Sequence, residues 1–407
     1  MLRILFLTQF FLLPEEGGGT KPWDLARSLV AAGHEVTVLC SDVHYLRENE
    51  HVAQKEENRE GVNIIRVPAT LSFRKNQWRR LIHYVYFAWN AFIKARSLQN
   101  CDLVFTSIQP IFTGPIGLLI ARLKHVPFFL EVRDLWPDTA IALGLMRPGL
   151  VASFFSWLSR FLYRRADHIV ALTPGIQCEI TKAGIKSDRL DCIPNGYEDD
   201  LFQKDNYDAE AIRHDRGWSN SFVVVYAGSH TMGDNLETLL EAAFWLKDHD
   251  DVRIILIGDG NHKVNLQKYA DEHQLTNVEF LPLQSKPALV SLLYAADVFV
   301  MCLHKGPHWG IFLQNKFFDY LAAGKPIVAA LEGTQSDILA QTGSGIGVEP
   351  ESPQALAEGI LSLKNNPELV SEMGKRARAT AQQQFSRQVL IKEYIQLIEE
   401  AAAKRRK

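Results

Sequence analysis

Cysteine is scarce in this sequence and follows no metal-binding or redox spacing. The 407 residues include five cysteines, and no two of them form a CxxC pair. They are Cys40, Cys101, Cys178, Cys192 and Cys302. This pattern argues against a disulfide framework or a zinc site and is typical of proteins of the reducing cytoplasm. We predict a cytoplasmic protein, either free or peripheral on the inner face of the cytoplasmic membrane.

Long apolar runs are also missing. No uncharged stretch reaches the roughly 18 apolar residues that a membrane-spanning helix needs. The N-terminal segment MLRILFLTQFFLLPEE has an apolar run of about a dozen residues but lacks a small-x-small cleavage site. We therefore expect a buried first strand here rather than a signal peptide.

Neither sign of charge dominates the composition. The formal net charge is -3, with 22% charged and 47% hydrophobic residues, which is ordinary for a globular protein. Such a balance gives no general attraction to nucleic acid, and no recognised DNA or RNA module is present. A chain of this length is too long for one ordinary core, so two domains are expected.

Short apolar runs alternate with helical stretches in two successive series. The first runs from RILFLT to DRLDCIPNG (188–196), and the second from SFVVVYAGS (221–229) to KPIVAA. This alternation predicts an α/β fold of two doubly wound, Rossmann-like domains that face a central cleft. The predicted domains are 1–200 and 201–385, with a polar linker at 197–221. The last helix, 386–407, is expected to pack back on the first domain.

Ligands of such domains bind at the carboxyl ends of the strands, so residues that follow strands are candidates for a site. Three glycines, 17–19, follow the first strand and would let backbone amides approach a ligand. The spacing is neither the GxGxxG dinucleotide motif nor a Walker A loop. Gly18 and Gly19 are therefore predicted to bind ligand, and a flexible turn is the alternative.

The segment LEVRDLWPDTA (130–140) places Glu131, Arg133 and Asp134 at the end of an apolar run. So many charged residues in one short segment are seldom buried in a hydrophobic core. They are predicted to serve the reaction, and a salt-bridged loop is the alternative.

Glycines also follow strands in the second domain. Gly228 ends the first of these strands, with His230 two residues later, and Gly258 and Gly260 follow the next strand in LIGDG. Two such turns are consistent with a nucleotide pressed against backbone. Leu283 ends the FLPL segment (280–283) and belongs to the same predicted site.

The helix that begins NKFFDYLAAGKP carries Asn315, Lys316 and Asp319 near its start. Free amides and the helix dipole favour a phosphate at such a start, and Lys316 adds a full positive charge. Asp319 lies about one turn later, where it could accept hydrogen bonds from ribose hydroxyls. Capping and solvation of the helix end are the alternative.

Together, these segments resemble the retaining glycosyltransferases of the GT-B fold, family 4. SHTMGDNLETLLEAA, LIGDG, AADVFV and NKFFDYLAAGKPIVA are similar to that family's donor domain. VRDLWPD resembles the bacterial branch that acts in O-antigen, capsule and exopolysaccharide synthesis, including N-acetylfucosamine transferases. The resemblance covers essentially the whole chain.

The resemblance implies roles for single residues. Asp319 matches the second acid of an acid-x7-acid motif, which binds ribose, whereas Ile311 stands where the first acid would contact the donor sugar. The family's Arg and Lys after the first donor-domain strand are absent, and Arg133 holds the place of a histidine of the first domain. Donor-sugar recognition is therefore expected to differ from the family's usual form.

The remaining roles follow from the same resemblance. Lys316 and the amides near Asn315 are expected to hold the diphosphate, helped by Gly18, Gly19 and His230. Gly258, Gly260 and the strand end at Leu283 are expected to accommodate the base. Glu131, Arg133 and Asp134 are expected to face the reacting sugar and the acceptor.

The implied reaction moves a sugar from a nucleoside-diphosphate sugar, with UDP favoured. The resemblance implies retention of anomeric configuration without a metal or other cofactor. Either the leaving phosphate assists a front-face attack, or Asp134 acts as general base or nucleophile.

Two segments of the first domain mix basic and aromatic residues. They are 72–97 and 153–165, and this composition suits a surface that faces anionic lipid. The alternative is that the apolar members face the core. Membrane contact would fit a polyprenyl-diphosphate-linked acceptor, and a glycan is the other acceptor considered.

Three other functions remain open at this stage. The chain could be a nucleotide-sugar epimerase or a phosphorylase of the same fold. The missing acid at Ile311 also leaves open a non-catalytic partner of an active enzyme.

Overall fold

Two β-sheets organise the chain in the computed structural model, which describes residues 1–16, 19–44, 49–71, 76–98, 100–142, 144, 146–203, 206–306 and 308–404. The chain divides into two units, each built on its own sheet. The first unit comprises Met1–Pro194 with Val389–Lys407, and the second comprises Asn195–Gln388.

The first unit contains an eight-stranded sheet in the order β3-β4-β2-β1-β5-β6-β7-β8. Neighbouring strands are parallel, except that β3 is antiparallel to β4. The strands are β1 Arg3–Leu7, β2 Glu35–Ser41, β3 Glu56–Arg59, β4 Val62–Val67, β5 Leu103–Ser107, β6 Phe128–Val132, β7 His168–Ala171 and β8 Leu190–Cys192. The helices are α1 Lys21–Ala31, α2 Gln77–Ser97, α3 Thr113–Leu123, α4 Asp138–Ala142, α5 Leu150–Arg165 and α6 Pro174–Lys182. Strands β5 and β6 are buried along their whole length, as expected where helices cover a parallel sheet.

The second unit contains a six-stranded parallel sheet in the order β11-β10-β9-β12-β13-β14. Its strands are β9 Phe222–Ala227, β10 Val252–Ile257, β11 Val278–Leu281, β12 Val298–Cys302, β13 Ile327–Ala330 and β14 Gly345–Val348. The helices are α7 Ala209–Asp215, α8 Leu236–Trp245, α9 Lys263–Glu272, α10 Lys286–Tyr294, α11 Asn315–Ala323, α12 Thr334–Thr342, α13 Pro353–Lys364 and α14 Pro367–Gln384.

Both sheets reverse their strand order at a point where a ligand can bind. In the first sheet β1 lies between β2 and β5, and in the second β9 lies between β10 and β12. Doubly wound sheets bind ligands at such switch points, beyond the carboxyl ends of the strands. The loops that follow β1, β9 and β12 therefore have the most favourable positions for binding a ligand.

Residues 197–221 do not form the polar linker that the sequence predicts. Phe202 and Trp218 are completely buried in the core of the second unit. Arg213 donates to Asp297 at 2.9 Å, and the Tyr197 amide donates to the Phe385 carbonyl at 3.0 Å. The prediction failed because isolated aromatic residues in a polar stretch produce no periodic pattern, although they bury large areas.

The last helix, α15 Arg387–Lys404, joins the core of the first unit. Leu390, Tyr394 and Ile398 recur every four residues, which places them on one face of the helix. Tyr394 and Ile398 are fully buried there. Within the described residues, no helix has both the length and the apolar composition that spanning a bilayer requires.

Candidate functional site

Helix α11 starts without a side-chain cap. Gln314 is the residue before the helix, and its side chain makes no capping hydrogen bond. The helix ends at Gly324, which adopts the left-handed conformation with φ 70°, and Phe317 and Phe318 anchor it in the core. Because the first amides of a helix have no partner within it, this start can accept a hydrogen-bonding anion.

Lys316 reaches from the start of α11 to the end of β9. Its Nζ lies 2.7 Å from Oδ1 of Asp234 and 2.5 Å from the hydroxyl of Tyr226. It also lies 4.2 Å from the centre of the Tyr226 ring. A Cβ on Gly228 would lie 2.8 Å from Cε of Lys316, so the glycine leaves room for the lysine in this position.

Asp234 holds Lys316 in an ion pair. Burial alone would raise the pKa of Asp234, but the charge of Lys316 and hydrogen bonds lower it. Ser229 and Thr231 donate to Oδ2 at 2.8 Å and 2.7 Å. The carboxylate is therefore ionised at neutral pH, and sequence reasoning missed it because it lies 82 residues from Lys316.

Asp319 pairs with a different lysine. Lys286, at the start of α10, donates to Oδ2 of Asp319 at 2.6 Å. Burial raises the pKa of Asp319, and the charge of Lys286 opposes this rise. Lys286 keeps 24% of its side chain exposed and Asp319 keeps 11%, so the pair is only partly shielded from solvent. Lys286 had no motif in the sequence that could have identified it.

Asn315 is exposed at the start of α11. Its Oδ1 accepts a hydrogen bond from Nδ2 of Asn195 at 2.8 Å. The side chain of Asn195 is therefore in direct contact with the predicted phosphate-binding helix start, within the second unit.

His230 lies inside the second unit rather than at its surface. It is 0% exposed, and neither ring nitrogen has a hydrogen-bond partner among the described residues. Burial, with the charge of Lys263, lowers its pKa to about 4. The ring is therefore neutral at physiological pH, which corrects the prediction that His230 helps to bind diphosphate, since it supplies neither a charge nor an accessible donor.

Gly258 and Gly260 are required by contact between two loops. A Cβ on Gly258, where φ is 143°, would lie 1.9 Å from the carbonyl oxygen of Gly228. A Cβ on Gly260 would lie 2.2 Å from the carbonyl oxygen of His230. The two glycines thus serve the packing of the loop after β9 on the loop after β10, which differs from the predicted close approach of a ligand.

The edge beside β11 is open. Leu283 is 68% exposed two residues after β11. Lys263, which sequence reasoning missed, donates to the carbonyls of Gly258 and Leu281 at 2.7 Å and 3.0 Å. This lysine ties the ends of β10 and β11 together and leaves Leu283 as an exposed apolar surface.

Glu131 is the centre of a buried network in the first unit. Its side chain is 2% exposed, and it accepts hydrogen bonds from Lys21 at 3.0 Å, Tyr394 at 2.7 Å and Ser107 at 2.7 Å. This corrects the prediction that Glu131 faces sugar and acceptor. Its oxygens are occupied by partners that the fold brings from β5, α1 and α15.

Arg133 and Asp134 are half-buried beyond the end of β6. Nη1 of the Arg133 guanidinium lies 3.5 Å from Oε2 of Glu131, which forms an ion pair with it. Burial raises the pKa of Asp134, and Arg133 opposes this. Nε2 of Gln109 donates to Asp134 at 3.3 Å. A carboxylate with a raised pKa is suited to accept a proton.

The glycine loop after β1 is described only in part. Gly19 is exposed, and no atom lies within 4 Å of a Cβ placed on it. Gly18 lies outside the described residues. Within the described ranges, no group of three or more His, Cys, Asp and Glu side chains is arranged to hold a metal ion.

Two family models match consecutive parts of the chain. The model described as "Glycosyl transferase 4-like domain" matches residues 16–196, and the model described as "Glycosyl transferases group 1" matches residues 208–380. WcaI of Escherichia coli strain K12, a protein named for glycosyl transfer in colanic acid biosynthesis, is 27% identical over 84% of this chain and 88% of its own length.

Solved structures share the fold. Anabaena Alr3699/HepE in complex with UDP aligns over 98% of this chain and 100% of its own, with 17% identity and a TM-score of 0.72. Sucrose-phosphate synthase from Thermosynechococcus elongatus aligns over 99% and 100%, with 18% identity and a TM-score of 0.79. The predicted α/β fold of two Rossmann-like domains is confirmed. The chain belongs to the GT-B glycosyltransferases, with a family 4-like N-terminal domain followed by a glycosyl transferases group 1 domain.

Proposed function

We propose that the protein transfers a sugar from a nucleoside-diphosphate sugar, with UDP as the favoured nucleotide, in bacterial surface polysaccharide synthesis. The observation that carries the proposal is the arrangement around the start of α11. Two ion pairs lie beside uncapped helix amides at the carboxyl edge of the second sheet: Lys316 with the buried Asp234, and the partly exposed pair of Lys286 with Asp319. The colanic acid relative and the UDP-bound neighbour support the same reading.

The diphosphate is assigned to the start of α11. The amides near Asn315 would donate to phosphate oxygens, and the helix dipole would add to their attraction. Lys316 would supply the full positive charge, for which the diphosphate must compete with Asp234. Gly18 and Gly19 of the first unit remain a predicted second source of amides.

The ribose is assigned to Asp319 and Lys286. A ribose hydroxyl both donates and accepts, so a carboxylate next to an ammonium can satisfy it from both sides. The base would lie against the exposed Leu283. Ile311 offers no carboxylate to the donor sugar, so its contacts must come from other residues.

The acceptor is assigned to the first unit. We propose a glycan or a polyprenyl-diphosphate-linked acceptor, with an N-acetylfucosamine-type sugar as one candidate for the group transferred. Arg133 would neutralise charge near the reacting centre, and Asp134 would accept the proton of the acceptor hydroxyl. Transfer is proposed to proceed with retention and without metal, so that activity should survive removal of divalent cations with a chelator.

Binding of nucleotides tests the donor assignment. Thermal stabilisation should be measured with UDP-, GDP- and dTDP-sugars, and the UDP compounds should raise the melting temperature most. Asp319→Ala should weaken UDP binding about tenfold or more, because a hydrogen bond to a charged group is lost. Asp248→Ala, which changes an exposed acid of the same unit, should leave the affinity unchanged. Equal affinities of Asp319→Ala and wild type would overturn the ribose assignment.

Product analysis separates the alternative functions. A glycosyltransferase should consume the donor sugar only when a suitable acceptor is present. An epimerase would isomerise or hydrolyse the donor alone, and a phosphorylase would require phosphate. Nucleotide binding without donor consumption in any acceptor mixture would favour the non-catalytic partner.

A further inference from the structure

Three helices of the first unit expose large apolar side chains to solvent. Among the described residues, twenty large hydrophobic side chains are exposed, and thirteen of these lie on α2, α3 and α5. Most large aromatic side chains of water-soluble proteins are at least partly covered, and wide apolar patches mark interaction sites. We call this surface the apolar face of α2, α3 and α5.

Helix α2 has apolar residues on the side that faces away from the core. Trp78, Ile82, Val85 and Trp89 follow one another at intervals of four, three and four residues, so they form one stripe. Trp78 is 75% exposed and Trp89 is 60% exposed. The core side of the helix is formed by other residues, such as the fully buried Phe87. The outer stripe is therefore additional to what the fold needs.

Helix α5 repeats this arrangement with an aromatic row. The Phe154 and Trp157 ring centres are 5.9 Å apart, and those of Trp157 and Phe161 are 5.5 Å apart. Phe154 and Trp157 are 53% and 55% exposed. These rings pack on one another along the outer side of the helix, while Phe155 and Leu162 are buried on the inner side.

Helix α3 packs beside both α2 and α5. Phe112, which precedes α3, packs against Tyr84 of α2 at 5.8 Å and against Phe155 of α5 at 5.7 Å. Leu119 and Leu123 of α3 are themselves exposed. The three helices are therefore neighbours, and each of them exposes large apolar side chains to solvent.

The charged residues of these three helices have one sign. Helices α2, α3 and α5 contain no Asp or Glu, although acidic residues outnumber basic ones in the whole chain, 47 to 44. They contain eight basic residues: Arg79, Arg80, Lys94, Arg96, Arg122, Arg160, Arg164 and Arg165. Lys94 is paired with Glu56 of β3, and residues 72–75 of the predicted membrane segment lie outside the described residues.

We propose that the apolar face of α2, α3 and α5 binds the surface of an anionic lipid bilayer. Tryptophan and tyrosine favour the boundary between lipid and water, where the ring is buried and its polar atom stays hydrated. Basic residues beside them are attracted to anionic headgroups by about 1 kcal/mol each. A second copy of the chain would bring two positive surfaces together, which disfavours a dimer through this face. None of the residues assigned to the donor lies on these helices, so the proposal is independent of donor binding.

Co-sedimentation with lipid vesicles tests the proposal. Full-length protein should sediment with vesicles of phosphatidylcholine that contain about a quarter phosphatidylglycerol, and much less with phosphatidylcholine alone. Added salt should release it, because the electrostatic part is screened. The triple variant Trp78→Gln, Trp89→Gln, Trp157→Gln should lose about tenfold or more of its partitioning. Trp245→Gln, which changes a tryptophan of the second unit that is 58% exposed, should bind like wild type.

A variant with fewer basic residues separates the electrostatic contribution to membrane binding from the contribution of the tryptophans. Arg79→Gln, Arg160→Gln, Arg164→Gln should abolish the preference for anionic vesicles while the tryptophans remain. Melting temperature and UDP binding, measured on all variants, report folding and the donor site separately. The proposal is overturned if wild type does not bind anionic vesicles or if the triple tryptophan variant binds as well as wild type. A wild-type dimer in light scattering that the tryptophan changes dissociate would also overturn it and identify the face as a contact between copies.

Discussion

The carboxyl edges of the two sheets hold their charges in different ways. In the first unit, the carboxylate of Glu131 is 2% exposed and bonded to Lys21, Tyr394 and Ser107. In the second unit, the charges form two separate pairs, and the lysines keep 10% and 24% of their side chains exposed. An acid surrounded by protein partners holds the fold together, whereas a partly exposed pair can exchange a partner for a ligand. This difference supports the assignment of the nucleotide to the second unit.

Removing the central acid of the first unit should produce the largest effect. Glu131→Ala removes the carboxylate that pairs with the ammonium of Lys21, which is 4% exposed. The free energy of unfolding should fall by about 3–5 kcal/mol, because an uncompensated buried charge is strongly unfavourable. Urea unfolding followed by circular dichroism measures this change.

A smaller change in the same network provides the control. Tyr394→Phe removes one hydroxyl donor from Glu131 and should lower stability by only about 1 kcal/mol. If Glu131→Ala kept wild-type stability and lost only transfer activity, Glu131 would belong to the reaction and the contrast between the units would disappear.

Lys316→Met should have the next largest effect, on catalysis. The variant removes the charge assigned to the diphosphate, so donor turnover should fall about a hundredfold, as when one donor to a developing charge is lost. It also leaves Asp234 buried without its lysine. The double variant Lys316→Met, Asp234→Asn should therefore recover stability but not turnover. Normal kcat/KM in the double variant would show that the pair serves only the fold.

The pH dependence of stability should have opposite signs at the two edges. Burial would raise the pKa of Glu131, but Lys21, Arg133 and hydrogen bonds outweigh it and lower the pKa from 4.5 to about 2. Its ionised form therefore stabilises the fold above about pH 4.5, and this stabilisation decreases as the pH falls towards 2. Burial raises the pKa of Asp319 above 3.8 in spite of Lys286. Ionisation of Asp319 therefore destabilises the fold, and its contribution to stability decreases as the pH rises through this pKa.

Unfolding measurements across pH compare the two acids directly. The stability advantage of wild type over Glu131→Gln should shrink by about 2 kcal/mol between about pH 4.5 and pH 3. Relative to Asp319→Asn, wild type should gain stability over the same fall in pH. Parallel curves for wild type and both variants would contradict the charge states assigned to both edges.

The fold could be predicted because its signals are local. Runs such as VVVYA and IILI are apolar and rich in β-branched residues, and each is buried in its strand. Two strands were missed, since EENR of β3 is polar and GIGV of β14 is rich in glycine. Their strand geometry comes from pairing with β4 and β13, which no local pattern reports.

The candidate site could be predicted only in part. Polar residues at the start of a helix identified Lys316 and Asp319, but their partners Asp234 and Lys286 lie 82 and 33 residues away. Glycines were correctly found at strand ends, yet Gly258 and Gly260 face neighbouring backbone. The buried position of His230 depends on the packing of two loops, which composition does not encode.

The sequence by itself determined the alternating elements, the two sheets and the positions of the polar residues along the chain, because propensity and periodicity act over a few neighbours. Only the tertiary structure decided which charges meet. Lys21, Glu131 and Tyr394 are separated by up to 373 residues and share one buried network. The apolar face of α2, α3 and α5 depends on both levels. Its basic and aromatic composition is visible in the sequence. Which rings face solvent is settled by how each helix packs on the sheet.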